Sequence, residues 1–317
     1  MHSSIKSHDG HVLAIVAPGQ GAQKPGFLAP WCSLENVRST LEKMSAIVGE
    51  DLIALGSDAD EQTIRDTAIA QPLLVSAALV TFNALEVDLP PSTIVAGHSV
   101  GEFAAAAISS VLTEAEAMRL VTIRGRAMAH ASAITDTGMT ALLGGDMDEV
   151  IAAIETCGLT CANYNGTGQM VAAGTLAQLD ELTRHLPKRT RAIPLSVAGA
   201  FHSHHMASAV DDLREAASTS VLNSPRTVLL SNRDGSVVSS GDEYVKRLID
   251  QVARPVRWDL CMETMRSHQI TGLLELTPSG TLTGIAKRNC PGVELFNLNS
   301  VDQIDEARSF IDRHSHV

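Results

Sequence analysis

Apolar positions along the 317-residue chain alternate between short unbroken runs and longer stretches with helical spacing. Residues 11–17 (HVLAIVA) form a run closed by Pro18 and Gly19, and residues 92–96 (STIVA) form another, closed by Gly97. Unbroken runs of this length predict strands buried on both faces of a sheet. Helical spacing is clear at 34–48 and 70–86, and an Ala-rich helix is expected after Gly101. Thr113 and Glu116 have capping-box spacing and predict a helix running to about Ala131. The segment from 135 to 198 reads differently. Strand-like Met139–Leu143, Leu159–Tyr164, Met170–Ala173 and Thr190–Leu195 enclose two short helices, opened by Asp146 with Glu149 and by Thr175 with Gln178. The order β-α-β-β-α-β is a ferredoxin-like signature. Beyond it, Thr227–Leu230, Leu273–Glu275 and Val293–Phe296 are strand candidates between helical stretches. The expected architecture is α/β. Residues 11–134 and 199–317 would form a large parallel-sheet domain of α/β-hydrolase-like kind, with 135–198 inserted as a ferredoxin-like α+β subdomain and 1–10 as a flexible tail.

Charge and composition narrow the function. Twenty-four Lys and Arg against 36 Asp and Glu leave a formal charge of −12, and aromatics are 3% of residues. Neither fits a nucleic-acid binder, which needs a basic surface or stacking platforms. No stretch approaches the roughly 20 apolar residues of a membrane span. The first ten residues, MHSSIKSHDG, carry no apolar signal core, and the five cysteines are an odd count. A reduced, cytoplasmic protein is expected. Cys157 and Cys161 are too few for a zinc site unless distant residues join them.

Residues 97–101 read Gly-His-Ser-Val-Gly, the pattern G-x-S-x-G between a strand and a helix. A sharp strand-to-helix turn needs small residues around an exposed nucleophile, and the helix start offers free N–H groups to developing negative charge. Ser99 is therefore a candidate nucleophile, with the Val100 N–H as an oxyanion donor; a chance match of two glycines around a serine is the plain alternative. A base is required. His98 adjoins Ser99, but neighbours on a tight turn point apart. Phe201-His-Ser-His-His205 offers His202, in a loop before a helix. Part of a metal-ligand set is the competing reading of that cluster, although the expected Asp is missing and Ala207 stands in its place; His204 and His205 otherwise read as helix-start residues. Pro18-Gly19-Gln20-Gly21 follows the first strand and does not match a nucleotide-binding glycine loop, because Lys24 stands where a third glycine belongs. It leaves the Gln20 N–H as a second oxyanion donor. Arg124 falls on the same helical stripe as Ala117, Leu120, Val121 and Met128. A guanidinium pointing with apolar residues must be paired: with an acid of the protein, or with a carboxylate of a substrate, which Arg grips through two parallel bonds.

Together these residues resemble the malonyl-CoA:acyl carrier protein transacylases, the acyltransferases of fatty-acid and polyketide synthesis. The resemblance covers residues 12–315. It rests on Ala17-Pro-Gly-Gln-Gly-Ala-Gln23, Gln71-Pro72, Gly97-His-Ser-Val-Gly-Glu102, Arg124-Gly125, Ala162-Asn-Tyr-Asn165, Gly168-Gln169, Gly199-Ala-Phe-His202, Ser231-Asn232, Gln251 and Pro255-Val-Arg-Trp258. It implies Ser99 as the acylated nucleophile, His202 as its base, and Gln20 and Val100 as oxyanion donors. Arg124, Phe201, Asn163 and Gln251 make up the implied substrate-binding set. Gln251 also matches the position whose main-chain carbonyl orients the histidine, so the implied pair is a Ser–His dyad with no acid. Phe201 would fill the space of an α-methyl group, favouring malonyl. Gly199, Thr167 and Thr277-Pro-Ser-Gly280 depart from the commoner residues of the family.

The implied partners are malonyl-CoA as substrate and an acyl carrier protein bearing phosphopantetheine. No metal, no further cofactor, no nucleic acid and no membrane are expected, and the chain would act as a monomer. Lys188, Arg189 and Arg191 are candidates for a basic patch facing the carrier, or simply a solvated edge. Two rivals remain: a serine hydrolase or thioesterase using the same Ser99 and His202, and a silent carrier-binding subunit.

Overall fold

The computed structural model describes residues 11–315, so the expected tail over 1–10 lies outside the described residues. Ten strands occur there in chain order: β1 (Leu13–Ala17), β2 (Ile94–Gly97), β3 (Thr137–Gly144), β4 (Thr160–Tyr164), β5 (Gln169–Thr175), β6 (Thr190–Pro194), β7 (Val228–Leu229), β8 (Val256–Arg257), β9 (Gly272–Glu275) and β10 (Glu294–Asn297). They build two five-stranded sheets, ordered β10-β9-β1-β2-β7 and β6-β3-β5-β4-β8.

Every pairing in the first sheet is parallel. Its central strand is apolar throughout because both faces are covered. Leu13, Ile15 and Ala17 enter one apolar cluster, whereas Ala14 and Val16 enter another on the opposite face. The first cluster also takes Trp31, and the second takes Trp258. A parallel sheet sandwiched by helices is the expected outcome of unbroken strand runs.

The second sheet has the antiparallel strand order of a ferredoxin-like unit over β3 to β6. Asp146 accepts the N–H groups of Asp148 and Glu149, opening the helix Met147–Thr156. Thr175 and Gln178 form a reciprocal capping box on the helix Leu176–Arg184. These two helices bury Leu142, Met170 and Ala172 beneath Ile154 and Leu182. The opposite face presents Met139, Ala141, Ala162 and Val171 to the main cluster of the large domain. A fifth strand was not foreseen: β8, two residues long, arrives from beyond the inserted segment and pairs in parallel with β4, Asn163 opposite Val256 and Tyr164 opposite Arg257.

The helix Thr67–Ala84 departs from the expected absence of any membrane-length apolar stretch. Among the described residues it is long and apolar enough to cross a bilayer by length and composition. It is instead a core helix, 78% buried, and it packs along the helix Glu114–Ser132. Gly125 permits that approach, since a Cβ there would sit 3.0 Å from the Thr67 carbonyl oxygen. Thr113 caps Glu114–Ser132 as expected, accepting the Glu116 N–H. The Glu116 carboxylate does not close the box; Arg119 and Ser220 take it instead.

Candidate active site

The strand β2 ends at Gly97, and the helix Gly101–Ile108 begins four residues later. A Cβ on Gly97 would collide with the backbone of Gly101, and one on Gly101 with the Ala17 carbonyl. Both positions therefore exclude any side chain. Between them Ser99 takes a left-handed backbone, φ 53°. Its N–H donates to Asn232 Oδ1 at 2.7 Å, and Asn232 Nδ2 donates to the Gly97 carbonyl at 2.8 Å. The turn is thus held by one amide side chain from the loop after β7.

His202 reaches Ser99 from the other side, its Nε2 2.7 Å from Ser99 Oγ. Its Nδ1 lies 2.9 Å from the Gln251 main-chain oxygen. A carbonyl only accepts, so Nδ1 carries the proton and Nε2 faces the hydroxyl as a free acceptor. The residue also has a left-handed φ, 58°, and its surface is 4% exposed. Burial, joined by the Arg124 charge, pulls its pKa down to about 3. His98 turns away: Nε2 meets Asn165 Oδ1 at 2.9 Å and the ring stands edge-on to Trp258. His204 and His205 stack on each other, 4.1 Å between centroids, in a short 3-10 turn.

Arg124 lies with its stripe in the interior, 1% exposed. Among the described residues no acid of the protein contacts it. Nη1 donates to Gln71 Oε1 at 2.6 Å and Nη2 to Gln251 Oε1 at 3.0 Å. Both are neutral amides, and Nε has no partner among the described residues. The Phe103 ring lies 5.9 Å from the guanidinium carbon. Burial lowers its pKa to about 10, with the charge of Glu102 opposing.

Arg124, Ser99, His202, Gln20, Val100, Phe201, Asn163, Gln71, Met128 and Met139 share one cavity of about 70 Å³. Most of the expected site is therefore brought together. The main-chain N–H groups of Gln20 and Val100 donate to no acceptor among the described residues. Gln251 does not line this cavity. It stands one layer behind, where its carbonyl meets His202, as the resemblance implies, and its side chain meets Arg124. Gly199 stays small because a Cβ there would press on Ser132 Oγ at 2.5 Å.

Three polar residues had no role in the sequence reading. Gln71 grips Arg124, and its Nε2 points at Met128 Sδ, 3.4 Å away. Asn232 holds the elbow. Glu102, 1% exposed, accepts the Asn232 N–H at 2.7 Å on Oε1 and the Gln251 amide on Oε2. Burial pushes its pKa up to about 8, against the pull of the Asn232 N–H and the Arg124 charge. The available signal was Glu102 itself, a lone charge in the otherwise apolar helix GEFAAAAI.

An α/β scaffold that sets a serine on a strand-to-helix elbow, in contact with a buried histidine, is the framework of a serine-dependent enzyme. Comparison with known proteins narrows this. The acyl transferase domain matches residues 15–287. A malonyl CoA-acyl carrier protein transacylase of Mycobacterium tuberculosis is 44% identical over 298 residues, covering 93% of this chain and 99% of the relative. The crystal structure of MCAT from the same organism superposes with a TM-score of 0.90 at 43% identity, over 94% of this chain and 100% of that one. A malonyl-transacylase solved in complex with its type II PKS acyl-carrier protein gives a TM-score of 0.87 at 28% identity, over 94% and 99%. The chain belongs to the acyl transferase family.

Proposed function

We propose that this protein transfers a malonyl group from malonyl-CoA, through an ester on Ser99, to the phosphopantetheine thiol of an acyl carrier protein. The observation that carries the reading is Arg124: a guanidinium buried in the same cavity as Ser99 and His202, held by neutral amides, with no carboxylate in contact with it among the described residues. A buried cation with no carboxylate in direct contact is costly, and the free carboxylate of a malonyl group supplies that contact. A hydrogen bond between charged partners contributes about 1.5–3 kcal/mol, enough to favour malonyl over acetyl by roughly ten- to a hundred-fold.

The chemistry runs in two halves. His202 Nε2 takes the proton of Ser99 Oγ as the oxygen attacks the thioester carbonyl. The N–H groups of Gln20 and Val100 receive the oxyanion. Collapse breaks the carbon–sulfur bond, and the departing CoA sulfur takes the proton from His202, leaving malonyl-Ser99. The carrier's thiol then gives its proton to His202 and attacks the ester carbonyl. Ser99 leaves and recovers the proton. The Gln251 carbonyl keeps the imidazole oriented throughout, in the place where a hydrolase triad has a carboxylate. Phe201 and Asn163 line the acyl space, with Phe201 excluding an α-methyl group. No cofactor enters: malonyl-CoA is a substrate, and phosphopantetheine arrives on the carrier. The protein would work as a monomer in the cytoplasm, and the exposed Lys188, Arg189 and Arg191 would meet an acidic carrier.

Intact-mass and peptide analysis after brief exposure to malonyl-CoA tests the proposal, with Ser99→Ala alongside. A malonyl adduct on Ser99 that carrier protein discharges is the expected result. Free malonate accumulating without transfer would instead favour a hydrolase.

A further inference from the structure

Glu102 is buried, charged or chargeable, and touches none of the reacting groups. Each of its oxygens nonetheless meets a residue that does. Oε1 accepts the main-chain N–H of Asn232, whose side chain holds the Ser99 N–H and the Gly97 carbonyl. Oε2 accepts the side-chain NH2 of Gln251. The same NH2 group also lies 3.3 Å from Asn232 Oδ1 and 3.4 Å from the Ser99 carbonyl. Anchoring that NH2 end decides where the other end of the amide points. Gln251 Oε1 faces Arg124 Nη2 at 3.0 Å, and the Gln251 main-chain oxygen faces His202. Tyr244 completes the enclosure by donating to the Glu102 main-chain carbonyl at 3.4 Å.

We propose that Glu102 is the positioning residue of this site: through Asn232 it fastens the nucleophile's turn, and through the Gln251 amide it aims an acceptor at Arg124, so that the guanidinium presents its remaining donors to the substrate's carboxylate. The inference rests on the malonyl-transfer reading. Its physical content is an orientation argument. An amide has a donor end and an acceptor end that are close in shape, so only its partners choose which way it faces. With an accepting oxygen at Glu102, the donor end goes to Glu102 and the acceptor end to Arg124. With a donor at that position, Gln251 must rotate, and its NH2 then faces a cation. A buried guanidinium left opposite an NH2 group loses a charge-assisted bond and is free to swing. When ionised, Glu102 also acts on Arg124 through space without touching it.

The test compares Glu102→Gln with the wild type in the full-length protein at pH 9, where the Glu102 carboxyl is ionised, using malonyl-CoA and acetyl-CoA as donors and carrier protein as acceptor. The substitution keeps the volume and puts a donor beside Gln251. Expected is a fall in transfer from both donors as the Ser99 turn loosens, with malonyl transfer falling roughly ten-fold or more further than acetyl transfer in kcat/KM, that extra loss carried mainly by the KM for malonyl-CoA. A merely structural role would leave the ratio of the two donors unchanged however far both fall; an unchanged ratio overturns the inference. Should the variant not fold, Gln251→Met decides. It removes the relayed oxygen while keeping the main-chain carbonyl on His202, and it is expected to lose the same preference; an unchanged ratio overturns the relay. A wild type that shows no preference for malonyl-CoA, or no Ser99 adduct, would instead refute the functional reading itself, so the two failures are separate.

Discussion

His202 is a base whose environment has removed its ordinary titration. In the unfolded chain an imidazole protonates near pH 6.5, but in the folded protein burial holds the pKa near 3. Two consequences follow from the sign. The base stays neutral well into acid, so the rate of Ser99 acylation at saturating malonyl-CoA should remain flat from pH 8 to about 5, where an unperturbed histidine would have lost most of its activity. Stopped-flow loading across that range checks it, and a limb near 6.5 would contradict the burial argument. Stability moves the other way. As pH falls through 6.5 the unfolded chain gains a proton that the native site refuses, so this group's contribution is lost progressively toward pH 3. Chemical denaturation at pH 7 and pH 5 should show it, with a smaller difference in His202→Gln. Arg124 gives the complementary prediction. Arg124→Ala removes the clamp but not the dyad, so malonyl transfer should drop roughly ten- to a hundred-fold while acetyl transfer is retained or rises. Equal loss of both would mean that the guanidinium only supports the fold.

Elements explain why some of these residues were legible and others not. The elbow was readable because its requirement is local: Gly97 and Gly101 stand four residues apart, and the backbone at each leaves no room for a Cβ. Gly101→Ala should therefore cost stability in the 1–3 kcal/mol range of overpacked sites and abolish Ser99 loading, a combination that thermal melting and mass analysis would separate from a simple surface change. Helix stripes placed Arg124 indoors for the same local reason. Glu102 and Asn232 were not legible as partners, since they lie 130 residues apart and meet only because β7 closes beside β2. The helices Leu52–Ser57 and Glu61–Arg65 are too short for a periodic pattern, and two-residue β8 has none. The helix Gly101–Ile108 carries a pH consequence as well. Arg124, Arg247, Tyr244 and Cys261 all act on Glu102 electrostatically or are acted on by it. Burial pushes Tyr244 and Cys261 well above their usual ranges, which leaves Glu102, near 8, as the member of this group that changes state around neutrality. Loss of its proton restores the accepting oxygen that faces Gln251. The malonyl-over-acetyl ratio should therefore climb between pH 7 and 9 in the wild type and stay level in Glu102→Gln; a level wild-type ratio would mean that the carboxyl keeps one state over that interval.

Across the molecule the site lies where two sheets meet. Ser99 hangs from the parallel sheet, Asn163 comes from the mixed one, and β8 crosses from the large domain to pair with β4. The sequence reading separated the two sheets well because hydrophobic runs and capping residues mark each one internally. It did not foresee the strand that joins them, which is a tertiary pairing of two residues. The join has a testable result. With β8 shared and the insertion's inner face packed into the main core, the two sheets should unfold together. Native-state hydrogen exchange should give the amides of β1 and of β5 the same opening free energy; separated values would show independent units.

Ser99 and His202 both occupy the left-handed backbone region, which non-glycine residues adopt only when their surroundings enforce it. Their contact is therefore sprung from both ends, and it persists only while the neighbouring turns remain clamped. On warming, the turns can relax before the core melts. Catalytic competence and folded structure then part company: heat would silence the protein at a temperature where its helices and sheets still stand, and cooling would restore it without refolding.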